Sequence, residues 1–65
     1  MNNRIRELIA KISNLESKIR DAGYYVSDLI DHPYTSDKQL KQLIGYALEI
    51  SDMEQEISDQ YAEMT

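Results

Sequence analysis

The chain has no cysteine, no tryptophan and no phenylalanine, and only one proline, one histidine and two glycines among its 65 residues. Each shortage excludes something. Without cysteine there is no disulfide and no thiolate metal site, and a single histidine leaves too few nitrogen donors for a zinc centre. No apolar run approaches the roughly 20 residues of a membrane-spanning helix. The opening MNNRIRELIA has no apolar stretch of signal-peptide length. A cytoplasmic protein that does not engage the membrane is therefore expected. The net charge of −5 opposes direct nucleic-acid binding, which requires cationic surface to displace counterions. There is no glycine-rich phosphate loop, no nucleophile–histidine pair and no metal-ligand spacing. No catalytic residue, cofactor or metal ligand is assigned, and the chain is not expected to be an enzyme.

What is present is helix-forming sequence in two stretches, which predicts an all-α fold. In the first, apolar residues fall at Ile5, Leu8, Ile12, Leu15, Ile19, Ala22, Val26 and Leu29, in steps of three and four without exception. That heptad spacing sets all eight on one helical seam, with β-branched residues at one core position and mostly leucine at the other. In the second stretch the period resumes at Leu40, Leu43, Ala47, Ile50, Glu54, Ile57, Tyr61 and Met64, broken only by Glu54. Ile9, Ile30, Ile44 and Met53 widen the stripes beyond a two-stranded seam, as a bundle requires.

Between the stretches lies IDHPYTSDKQL, residues 30–40. Pro33 biases His32 away from helical geometry, and Ser36 with Gln39 reads as a capping box. The sequence thus predicts one domain over 1–65: helix 1 over about 3–30, a turn over 31–35 and helix 2 over 36–64. So short a link favours an antiparallel two-helix hairpin with a coiled-coil-like heptad seam. Charge agrees: residues 1–20 carry five basic and two acidic side chains, whereas residues 49–65 carry six acidic and none basic.

A chain of this size buries only about 60% of the surface its unfolded form exposes. With disulfides and metals excluded, oligomerisation is the remaining support. The seam Ile5, Leu8, Ile12, Leu15, Ile19, Val26, Leu29, Leu43, Ile50 and Ile57 is therefore assigned to a homodimer closing into a four-helix bundle. β-branched residues facing leucines favour parallel pairing, which the loop forbids within one chain but which remains available between chains.

Other residues admit a functional and a packing reading. Gly23 and Gly45, each before a tyrosine, mark either a close approach of two backbones or tolerated interruptions. Tyr24 and Tyr34 are candidate partner contacts, since tyrosine offers a large ring with one polar tip. Tyr25 and Tyr46 are read as capping the core. His32 reads as a turn residue. Glu54 reads as specifying register, paired with Lys11. Glu49, Asp52, Glu56, Asp59 and Glu63 recur at heptad steps as an acidic ridge on the outer face of helix 2. Such a ridge either keeps the protein soluble or is a further candidate partner-binding surface, presented to a protein partner or mimicking DNA toward a basic one.

The two-helix plan is similar to the small aspartyl-phosphate phosphatases of sporulating bacteria. Their SQELD core is absent, the nearest stretches being SDKQL from Ser36 and SDMEQ from Ser51, and their activity is not carried over. In size, charge and helicity the chain also resembles the short, acidic, cysteine-free helical hairpins that phages and mobile elements encode as accessory proteins. That resemblance implies self-association and binding of a host or partner protein. The function expected is a non-enzymatic protein–protein interaction module. The alternatives are an acidic DNA-mimic inhibitor and a structural subunit of a helical assembly.

Overall fold

The computed structural model describes residues 3–32 and 35–64. Three helices account for most of them: α1 (Asn3–Asp21), α2 (Val26–Ile30) and α3 (Lys38–Met64). No described helix is long and apolar enough to cross a membrane.

α1 is rich in Ile, Leu, Lys, Arg and Glu and contains no glycine or proline, so its heptad stripe can run uninterrupted. Lys18 and Arg20 occupy its last turn, where cations complement the partial negative charge of the helix end. The predicted first helix does not continue to residue 30. Gly23 adopts φ +91°, its N–H donates to the Arg20 carbonyl at 2.9 Å, and the Tyr24 N–H donates to the Ile19 carbonyl at 3.2 Å. This closure satisfies two carbonyls that the helix end leaves open, and it requires a backbone conformation natural only to glycine. A glycine inside a helix costs about 1 kcal/mol relative to alanine, whereas just past the end it terminates the helix at no steric cost. The heptad hides the break because Val26 and Leu29 resume in phase beyond it. Ala22, assigned to the seam, caps the helix and is exposed.

α2 is little more than one turn. Tyr25 precedes it in extended conformation, its carbonyl accepting from the Asp28 and Leu29 N–H groups. Leu29 is buried and Val26 half-buried against α3. His32 is exposed, its N–H donating to the Leu29 carbonyl at 3.1 Å. The Pro33 break and the Tyr34 contact expected from the sequence lie outside the described residues.

α3 starts two residues later than predicted, and its cap is Asp37 rather than Ser36. The Asp37 carboxylate accepts from the Leu40 N–H at 3.0 Å, and its carbonyl accepts the first helical bond from Lys41. Thr35 Oγ1 in turn accepts from the Asp37 N–H at 3.1 Å. A carboxylate is at least as good an N-cap as a hydroxyl and adds charge that suits the helix dipole.

The two long helices pack together and run in opposite directions along their contact: Arg4 at the start of α1 reaches Glu56, while Lys18 near its end lies over Tyr46. They are unequal, 19 residues against 27, with α2 covering part of the difference. The core joins Ile12 and Ile19 of α1, Leu29 of α2, and Leu43, Ile44, Ala47 and Ile50 of α3. Ile5 and Leu8 are buried farther along α1.

Along α3 the covered stripe does not keep the predicted heptad. From Ile50 onward the shielded positions are Met53, Glu56, Ile57 and Gln60, while Glu54, Tyr61 and Met64 are exposed. The early turns of α3 face both α1 and α2 and bury a wide stripe. The later turns face α1 alone, and the stripe swings toward it. Glu54 is thus not a polar intrusion into the core, which buries no polar or charged side chain among the described residues.

Candidate interaction surfaces

The predicted oligomer seam is occupied within the chain: Ile5, Leu8, Ile12, Ile19, Leu29, Leu43 and Ile50 are buried, and Leu15, Val26 and Ile57 are half-buried. Hollows among the described residues lie on the two flanks of the α1–α3 contact and at the corner between α1 and α2.

One flank carries Arg4, Lys11 and Lys18, seven residues apart on α1, and each is answered differently. Arg4 forks onto Glu56, donating from Nε to Oε2 at 2.7 Å and from Nη2 to Oε1 at 3.1 Å, and also pairs with Glu7 at 3.3 Å. Such a fork is directional and charge-assisted. The hydrogen bond from Arg4 holds the Glu56 carboxyl below its usual range, against partial desolvation, and the same bond raises the Arg4 guanidinium. Gln60 Nε2 also donates to Glu56 Oε2, at 3.2 Å. At the other end Lys18 Nζ sits 5.3 Å from the centre of the Tyr46 ring, a cation–π distance, and the Tyr46 hydroxyl accepts from Gln42 Nε2 at 3.0 Å. Between them, Lys11 shares a hollow of about 500 Å³ with Arg4, Leu8, Asn14, Leu15, Glu49, Asp52 and Met53.

The acidic ridge is therefore not on the outer face of α3. Glu49 and Asp52 wall this hollow, Glu56 is half-buried and bound to Arg4, and only Asp59 and Glu63 continue along α3 beyond it, Asp59 accepting from Gln55 Nε2. The ridge flanks the α1–α3 contact because α1 presents its cations along that same edge.

The opposite flank is more apolar. Ile9, 47% exposed, shares a hollow with Ile12, Ser13, Glu16, Glu54 and Ile57. Lys11 and Glu54 thus lie on opposite flanks rather than as the expected pair.

At the α1–α2 corner Tyr24 is 41% and Tyr25 71% exposed, beside a hollow they share with Ile19, Arg20 and Val26. Tyr25, read from sequence as a core cap, is the more exposed of the two, while Tyr46 lies half-buried at the edge of the core. The signal was in AGYY: a glycine that ends a helix places the second tyrosine in the extended linker, outside the stripe. The two glycines do not mark a close approach, since a methyl group added at either would meet no atom within 4 Å. No protein family pattern, curated protein or solved structure matches the chain.

Proposed function

We propose that the chain is a non-enzymatic protein–protein interaction module, a small accessory protein of the phage type that binds a partner protein and modulates it by occlusion or scaffolding. Its unit is an antiparallel helical hairpin that pairs with a second copy as a four-helix bundle. The observation that carries this reading is the α1–α2 corner. Tyr24 and Tyr25 stand outside the core on a segment fixed by two backbone hydrogen bonds and a glycine closure, rather than on a free loop. Rigid aromatic side chains of this kind lose little entropy on binding and dominate interface energies. Tyr24 was a candidate from the sequence, and Tyr25 joins it.

The test is photo-cross-linking from position 25 in cells that carry the protein, followed by affinity measurement with the captured partner. One discrete adduct is expected, with Tyr25→Ala weakening binding by about tenfold or more. Absence of any adduct from positions 24 and 25 would remove the corner as the binding surface. Binding that is indifferent to both tyrosines but collapses with salt would shift the function to the acidic residues of α3 and favour the DNA-mimic alternative.

A further inference from the structure

In the hollow walled by Lys11 on one side and by Glu49 and Asp52 on the other, opposite charges of the described residues face each other without meeting. Arg4 is joined to Glu56, and Lys18 lies over Tyr46. Neither Glu49 nor Asp52 has a cation within 4 Å among the described residues, and Lys11 acts on Glu56 only at longer range. The floor is apolar, built by Leu8 with the half-buried Leu15 and Met53. No residue of α2 lines it, so this face is open.

We infer that this face docks a second copy of the chain about a two-fold axis parallel to the long helices, so that Lys11 of each copy lies over Glu49 and Asp52 of the other. The inference rests on the reading of the chain as a self-associating module and specifies its contact.

The arrangement follows from charge and level. Two copies bring the same face together about a two-fold axis lying either along the helices or across them. An axis across the helices stacks α1 on α1 and α3 on α3, cations against cations and carboxylates against carboxylates, which is repulsive. An axis along the helices lays α1 of one copy over α3 of the other and leaves every residue at its own level. Lys11 lies midway along α1 between Arg4, which meets Glu56, and Lys18, which lies over Tyr46, so its level on α3 falls between those two, where Glu49 and Asp52 stand. The rotation carries it onto the same two carboxylates of the other chain, twice by symmetry. Leu15 and Met53 of both copies then close a common apolar floor. The molecule measures 42 by 20 by 14 Å, so docking along the full length of its broad face is needed to approach the roughly 800 Å² per partner that a stable interface buries. Four long helices result, with the two α1 helices parallel across the diagonal.

The test combines light scattering over a concentration series with charge exchange and cross-linking. The native chain is expected to dimerise, with an affinity that falls as salt rises. Lys11→Glu should weaken association by about tenfold or more, because each of two symmetric attractions becomes a repulsion. Adding Glu49→Lys and Asp52→Lys to that variant should restore the dimer, which also answers any loss from misfolding. In an equimolar mixture of Lys11→Cys and Asp52→Cys chains, oxidation should give the mixed 11–52 product in preference to either like pair. A dimer indifferent to Lys11→Glu, or a predominance of 11–11 products, overturns this arrangement and leaves self-association standing. A monomer at every concentration overturns both, and the cross-link from Tyr25 then decides separately whether the chain still binds a partner protein.

Discussion

At one end of the molecule the early turns of α3 are covered by both α1 and α2; at the other, the later turns are covered by α1 alone. The first end holds Ile19, Leu29, Leu43, Ile44 and Ala47, all buried. The second relies on Ile5 and Leu8 against a half-buried Met53 and Ile57, with the Arg4–Glu56 fork at its edge and Tyr61 and Met64 exposed beyond. A pair of helices can shield only one seam from water. A third, even one of five residues, closes a second side and turns a stripe into a core. The larger connected core therefore lies at the end that carries α2, while the flanks of the two-helix end stay open.

Emptying each end in turn separates their contributions. Leu29→Ala removes the one fully buried side chain of α2 and should cost about 2–5 kcal/mol, most of what a chain of this size has to lose. Ile57→Ala, at the two-helix end and only half-buried, should cost about 1 kcal/mol. Urea unfolding followed by circular dichroism measures both; equal losses would mean that α2 contributes no core of its own.

The two glycines sharpen the same contrast with opposite signs. Gly23→Ala forces a side chain into φ +91° and should destabilise by about 1–2 kcal/mol, loosening α2 and the tyrosine corner. Gly45→Ala lies in the interior of α3 with open space around it and should stabilise by up to about 1 kcal/mol. Thermal unfolding of the two variants reports the difference.

The smallest effect concerns pH at the two-helix end. Because Arg4 holds the Glu56 carboxyl below its usual range, the stabilisation from that contact is complete above the ordinary carboxylate pKa and is lost as pH falls through the lowered value. Both side chains are substantially exposed, so the change is modest and weakens with salt. Glu56→Gln should flatten the acid limb of stability at this end, as followed by NMR of Ile5 and Ile57, and leave the resonances of Leu29 and Leu43 unaffected.

Much of this architecture was legible in the residues. The heptad from Ile5 to Ile19 identified the buried face of α1. The Leu43–Ala47–Ile50 spacing identified that of α3, and the opposed charges of residues 1–20 and 49–65 agreed with the sense in which the helices pair. The break at Gly23 was harder to see because Val26 and Leu29 return in phase, so periodicity alone reads straight through a turn. The cap was misplaced by one residue because Ser36 and Asp37 are both good caps and only the local hydrogen bonds choose between them. The acidic ridge was visible as a spacing, but which way it faced was not, since the seam of α3 rotates between its two ends.

Composition and periodicity alone dictate that this protein is helical, that it lacks disulfides, and which residues of α1 and early α3 are withdrawn from water. These depend on composition and on a period that local backbone geometry imposes. The folded chain adds that the first helix ends at Asp21, that Tyr25 stands outside, that Glu54 avoids the core, and that Lys11 faces Glu49 and Asp52 across an open hollow. The first two turn on the local closure at Gly23, which the heptad masks, and the last two on how many helices cover each side of α3, a competition between distant segments that no local pattern records.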